Sequence, residues 1–209
     1  MIFNDRSDAG RILASKLAKY KGRADVVLLA LPRGGIPVAY EIGKELGLPI
    51  DVFVVRKLGV PGHEELAMGA IASGDIRIIN EDVVNPLGID QKTIDEVTDR
   101  ERQELRRREE LYRGERKPLT LAGKSVILVD DGIATGSTMR AAIAALRQLG
   151  PSRLIVAVPV AAADTYREIG AEVDEMVCAE VPRALFAISQ WYERFEQTTD
   201  DEVRHLLAS

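Results

Sequence analysis

The sequence predicts an α/β fold: a doubly wound, mainly parallel sheet with helices on both faces, plus a long charged helical insertion and a small C-terminal cap. Three observations predict it. Short uninterrupted apolar runs recur at 25–32, 125–131 and 153–160, the pattern of strands buried on both faces. Segments with apolar residues at helical spacing alternate with them, as connections between parallel strands do. A stretch rich in glycine and hydroxyls follows one of these strands directly, at the sheet end where such folds bind ligands.

The elements follow in order. From Asp5 to Tyr20, Ile12, Leu13, Leu17 and Tyr20 recur at helical spacing, with Asp5 or Ser7 as an N-cap. The run DVVLLALP at 25–32 is a strand stopped by proline and glycine, and a helix from about Ile36 to Leu46 ends at Gly47. IDVFVVRK at 50–57, ELAMGAIAS at 65–73 and IRIIN at 76–80 are strand-like. The texture then changes. From Asp90 to Lys117 the chain mixes both charge signs around sparse apolar positions Ile94, Val97, Leu105 and Leu111, which reads as a solvated helix of several turns.

Regular punctuation returns with a strand at 125–131, a helix in TMRAAIAALRQLG, a strand at 153–160, a helix in AADTYREIG and a strand edge in EVDEMVCAE. The tail from Val181 gathers Phe186, Trp191, Tyr192 and Phe195. Ile188, Trp191, Tyr192 and Phe195 share helical spacing, so these side chains are expected to pack onto the sheet, leaving Val181, Pro182 and Phe186 to meet a ligand. The expected division is a core at 1–180, with an insertion at about 81–120, and a cap at 181–209.

Bulk composition narrows the function classes. Of 209 residues, 46% are hydrophobic and 29% charged, ordinary for a globular chain. Lys plus Arg total 28 against 33 Asp plus Glu, so no nucleic-acid partner is expected and any anion site must be local. Cys178 has no partner for an internal disulfide, and one thiol with His63 and His205 does not build a metal cluster. The charged N-terminal stretch lacks the apolar region of a signal peptide, and the longest apolar run is strand-length. The expectation is a cytoplasmic chain with no membrane association.

The chemistry concentrates in VILVDDGIATGST, Val126 to Thr138, where an apolar strand runs into two carboxylates, two glycines and the hydroxyls that open a helix. Gly132 and Gly136 let successive N–H groups converge on an anion, Thr135, Ser137 and Thr138 add hydroxyls, and the helix contributes its positive end. Asp130 and Asp131 at the strand's carboxyl end suit the vicinal hydroxyls of a ribose. A Walker A loop would need four residues between its glycines and a lysine where Ser137 stands. A dinucleotide fingerprint would place its acid after the loop rather than before it.

This stretch resembles the PRPP-binding signature of type I phosphoribosyltransferases, enzymes that use the sugar diphosphate PRPP. The resemblance implies that Asp130 and Asp131 hold the ribose hydroxyls and that Gly132, Ile133, Ala134, Thr135, Gly136, Ser137 and Thr138 hold the 5-phosphate. It extends to LPRGG at 31–35, which stands where the family has its pyrophosphate loop. Arg33 there supplies a charged fork, while Gly34 and Gly35 permit close backbone approach. In VVRKLG at 54–59 it implies that Lys57, more than Arg56, reaches the diphosphate, so that Asp130, Asp131 and Lys57 form the catalytic set.

The segment 90–117 resembles the family's flexible loop, with Arg106, Arg107, Arg108, Arg113, Arg116 and Lys117 as basic residues that would close over PRPP. The longer pattern VRKLGVPGHEELAMGAIASGD followed by ERQELRRREELYRG is similar to a branch of phosphoribosyltransferases known by prediction, and the tail would be its hood. Also implied are Mg²⁺ bound mainly through PRPP with no direct protein cluster, a nitrogen nucleophile such as a nucleobase, and a homodimer. A PRPP- or nucleotide-sensing regulator that performs no transfer is the second reading of the same residues.

Overall fold

A computed structural model describes residues 2–209. The chain runs through α1 (Arg6–Lys16), β1 (Val26–Ala30), α2 (Gly35–Leu46), β2 (Ile50–Val52), β3 (Val55–Val60), β4 (His63–Ala72), β5 (Ile76–Ile79) and α3 (Glu81–Leu87). It continues through α4 (Gln91–Arg113), β6 (Ser125–Val129), α5 (Ser137–Gln148), β7 (Arg153–Val160), α6 (Ala163–Glu172), β8 (Glu175–Glu180) and α7 (Asp200–Ala208). Strands β2-β1-β6-β7-β8 form a five-stranded parallel sheet in that order.

The apolar runs at β1 and β6 are buried at every position, because each strand presents alternate side chains to two covered faces. Leu28, Ala30, Ile127 and Val129 pack with Leu13, Leu17, Ile36 and Ile42 of the first two helices and their flanks. Val27, Leu29, Val126 and Leu128 pack with Met139, Ile143, Leu146 and Ile169 of α5 and α6. A strand shifted by one residue would exchange the two sets, so helix shape on both faces pins the register. The doubly wound expectation holds.

Two boundaries differ from the sequence reading. The run at 50–57 is not one strand. Phe53 N–H makes the last bond to the parallel sheet, on Ala30 O at 2.9 Å, and Val54 N–H turns to Ser73 Oγ at 2.9 Å. The chain thereby leaves the main sheet for a separate antiparallel sheet of three strands, β3-β4-β5. Where the tail's aromatic residues share helical spacing, only a short 3₁₀ turn forms, at Ile188–Trp191. The reason is backbone pairing: Phe3 N–H bonds Trp191 O and Glu193 N–H bonds Phe3 O, both at 2.8 Å, which draws Tyr192 into extended conformation.

The charged segment does form a long helix. Asp90 caps α4 by accepting from Thr93 N–H, and Ile94, Val97, Leu105 and Tyr112 are buried. Its apolar stripe packs against β3 and α7, so it is a docked wall rather than a solvated helix. Helix α7 was hidden in a polar tail; a capping box between Thr199 and Glu202 starts it, and Val203 and Leu207 bury it. No helix among the described residues is long and apolar enough to cross a membrane.

Candidate active site

Strands β1 and β6 are neighbours, but the helix after β1 leads to β2 on one side, whereas the helix after β6 leads to β7 on the other. The chain therefore runs off to opposite sides after these two strands, which makes their carboxyl ends the switch point of an open parallel sheet, the place where such folds commonly bind ligands. Those loops carry Arg33-Gly34-Gly35 and Asp130 through Gly136. They touch: a Cβ on Gly34 would lie 2.0 Å from Asp131 Oδ2, and one on Gly35 would lie 2.7 Å from Val129 O. Both glycines are steric requirements of this contact, since φ at Gly34 is −62°, open to any residue.

The second loop is braced from below. Ile133 N–H bonds Val160 O at 2.9 Å, Ala162 N–H bonds Ile133 O at 3.0 Å, and Thr165 Oγ1 donates to Ala134 O at 2.7 Å. Arg140 donates to Thr135 O at 2.8 Å and pairs with Glu168 and Glu172. With its carbonyls so occupied, the loop exposes Ala134, Thr135, Ser137 and Thr138. Gly136, at φ +79°, begins α5 without a capping side chain. The first-turn N–H groups of a helix have no intrahelical acceptor, so this end suits an anion.

The carboxylate pair is unequal. Asp131 accepts from Arg6 Nε at 2.8 Å, with the two side chains only 12% and 14% exposed. The Arg6 guanidinium lies 3.9 Å above the Phe195 ring and donates to Glu196 O, while Tyr192 OH donates to Asp131 O at 2.6 Å. Asp130 accepts from Asp131 N–H at 2.8 Å. Burial, and then the charge of Asp131, push the Asp130 carboxyl well above the ordinary carboxylate range. Burial, and then the same Asp131 charge, push the Tyr192 hydroxyl up.

Arg6 and Tyr192 escaped the sequence reading as site residues. One signal for Arg6 was available: it follows the N-cap Asp5 in the first turn of α1, where the helix dipole disfavours a cation, so an anionic partner had to offset it. Tyr192 carried no such signal, because its position depends on Phe3, with the rings 5.4 Å apart.

Lys57 faces the same loop from another side. It lines a cleft of about 400 Å³ with Ser137 and Thr138, and its Nζ lies 3.6 Å from Glu65. Arg56, one residue earlier, points the opposite way and pairs with Glu101 of α4 at 2.7 Å. Arg33 sits 3.6 Å from Asp200 at the start of α7, and Tyr112 OH donates to that carboxylate at 2.7 Å. Phe186 is 87% exposed, Val181 is exposed as well, and Ile188 packs over Gly132.

The basic residues of the 90–117 segment are largely engaged elsewhere. Arg107 and Arg108 both grip Glu104, pulling its carboxyl down to about 2. Arg113 pairs with buried Asp51 at 3.0 Å, and Arg116 donates to Arg113 O. Such a docked helix does not have the form of a loop that opens and closes.

The family model of the phosphoribosyl transferase domain matches residues 4–194. A Mycobacterium tuberculosis (strain ATCC 25618 / H37Rv) protein named "Putative phosphoribosyl transferase Rv0571c" is 46% identical over 202 residues. That match takes in 97% of this chain and 45% of the relative, so the chain spans about half the length of that curated relative. The "Bifunctional protein PyrR" of Chloroflexus aurantiacus is 33% identical over 165 residues, 78% of this chain and 81% of that protein. The crystal structure of TT1426 from Thermus thermophilus superposes with a TM-score of 0.87 at 40% identity, covering 99% of this chain and 98% of the other. Matched by the domain model over residues 4–194, the chain belongs to the phosphoribosyl transferase family.

Proposed function

We propose that the chain binds PRPP and transfers its ribose 5-phosphate to a nitrogen nucleophile, a nucleobase being the class favoured, with release of pyrophosphate. The observation that carries this reading is the contact of the Asp131 carboxylate with Gly34, which brings two anion-suited loops and a carboxylate pair together at the switch point. The 5-phosphate fits the loop from Gly132 to Thr138. The ribose hydroxyls fit Asp130 and Asp131, and the diphosphate fits between Arg33-Gly34-Gly35 and Lys57.

In the reaction the C1–O bond to the diphosphate breaks and its electron pair leaves with pyrophosphate. The ribose ring then carries oxocarbenium-like positive charge, which the neighbouring carboxylates stabilise. The nitrogen lone pair forms the new C1–N bond, and a proton on that nitrogen passes to solvent. Arg33 and Lys57 offset the charge gathering on the leaving group. Arg6 holds Asp131 in one orientation throughout, so the ribose meets a preset acceptor.

Mg²⁺ suits this site as a companion of the substrate. Among the described residues no group of three or more His, Cys, Asp or Glu side chains is placed to cage a metal. Mg²⁺ is commonly held by substrate phosphates and water with few protein ligands, so a diphosphate beside two carboxylates fits it. When bound there it supplies charge neutralisation of the leaving diphosphate.

The test is calorimetric titration with PRPP and Mg²⁺ of the native chain and of Asp130→Asn/Asp131→Asn, followed by pyrophosphate release across a panel of nucleobases. Saturable binding lost in the folded double variant, with release dependent on one base, is the expected result. Binding with no release for any base would instead assign a sensing role. No binding by the folded native chain would overturn the reading.

A further inference from the structure

A cavity of about 550 Å³ opens at the β2 edge of the main sheet, and none of Arg33, Lys57 or Asp130 through Thr138 lines it. Its volume falls within the roughly 300–1,000 Å³ typical of small-molecule sites. The walls are largely apolar and come from five parts of the chain. Phe53 follows β2, Ile71 lies near the end of β4, Leu105 projects from α4, Leu119 and Leu121 precede β6, and Leu149 follows α5. The candidate active site makes no use of it, and two of the basic residues expected from the sequence to close over PRPP, Arg106 and Arg113, line it instead.

The charges around the cavity pair off with one exception. Arg113 takes Asp51 at 3.0 Å and Glu109 at 3.7 Å, and Ser73 Oγ donates to Glu109 at 2.5 Å. Arg102 takes Asp75 at 2.7 Å and Asp99 at 2.6 Å. Arg106 lies on the same face of α4, between these two, and has no ion pair among the described residues. A lone solvated arginine is ordinary; this one stands at the rim of an apolar space whose other cations are neutralised.

We propose that this cavity is a second binding site, for a small amphiphilic anion. Its apolar body fills the space between Phe53, Leu105, Leu121 and Leu149, and its single anionic head, a carboxylate, sulfonate or phosphate, pairs with Arg106. The apolar walls provide most of the affinity through burial, and the guanidinium selects the anion. The site is separate from the switch point, so its occupancy does not depend on PRPP.

The probe is anilinonaphthalene sulfonate, which combines a planar apolar body with one anionic head. Titrated into the full chain, it is expected to bind one per chain with a fluorescence rise, and to protect amides within 102–122 from hydrogen exchange. Arg106→Gln should weaken it roughly three- to tenfold, the scale of one charge-assisted contact at a partly open rim. Ala122→Trp, at an exposed wall position, should block it, and decanoate should compete better than decanol. PRPP with Mg²⁺ should leave the signal unchanged. Equal affinity for Arg106→Gln, protection that falls elsewhere, or displacement by PRPP would each overturn the proposal. The exchange map of the unaltered chain decides the matter even if a variant fails to fold.

Discussion

Arg6 at the start of α1 and Asp131 just after β6 meet in a 2.8 Å ion pair across 125 residues of sequence. The pair ties the N-terminal layer to the signature loop. Asp131 in turn lies against Gly34, so the first helix, the pyrophosphate-loop candidate and the ribose-site candidate are one mechanical unit.

Arg6→Ala leaves a poorly solvated carboxylate without its partner and removes the stack on Phe195. The expected cost is about 2 kcal/mol, below the roughly 3–5 kcal/mol of a fully buried pair because both side chains keep some contact with solvent. For a chain of this length that lowers Tm by roughly 4–8 °C. Arg6→Lys should recover part of the charge contribution but not the planar stack. Thermal melts of the three proteins check this, and an unchanged Tm for Arg6→Ala would show the pair to be energetically idle.

Gly34→Ala tests the contact between the loops. Its backbone conformation accepts alanine, so the nearest obstacle is the Asp131 carboxylate. The side chain must shift by more than an ångström, and PRPP affinity should fall at least tenfold, the loss of about 1.4 kcal/mol or more. Calorimetry against native protein reads this directly.

Asp130 should make stability depend on pH in a definite sense. Its folded pKa is raised, so the folded chain holds the proton more tightly than the unfolded chain does, and ionisation opposes folding. The penalty is absent below the unfolded value near 4, grows as pH rises toward the folded value, and is constant above it. Asp130→Asn keeps an oxygen for the Asp131 N–H and is expected to melt above the native chain at neutral pH. That advantage should fade toward about pH 3. Melting curves across pH check it; a gap independent of pH would contradict the assignment. Loss of PRPP binding should accompany the gain, a site residue that costs stability.

Lys57→Ala separates binding from folding. The side chain is 48% exposed and its ion pair with Glu65 is long, so Tm should stay within about 1 °C. If it reaches the diphosphate, PRPP affinity should drop roughly tenfold or more, since a charge-assisted contact contributes about 1.5–3 kcal/mol.

Arg113→Ala should behave in the opposite way. Its side chain and that of Asp51 are 10% and 6% exposed, and Asp51 also accepts from Leu119 N–H. The expected loss is about 3 kcal/mol of stability. A lid arginine would change PRPP affinity with little effect on melting, so the two readouts together distinguish a wall from a lid.

Much of the architecture was legible in the linear chain. The apolar runs at 26–30, 125–129 and 153–160 have no other place to go than a sheet covered on both faces. The glycines and hydroxyls after Val129 place an uncapped helix start directly behind β6 by local backbone geometry alone. These are short-range properties, carried by residues close together in sequence, and they survive without knowledge of the partner elements.

What the tertiary structure alone decided is everything that rests on long-range pairing. Phe53 and Val54 look like the middle of one strand, and only the Ala30 carbonyl and the Ser73 hydroxyl show that the chain changes sheets there. The basic segment at 91–113 looks solvated until Asp51, Arg56 and the faces of β3 and α7 are placed beside it. Arg6 is one charge among several in the N-terminal stretch until folding sets it against Asp131. A side chain's type states which interactions it can make, but which partner it meets is fixed by packing of distant segments, and that carries no local signature.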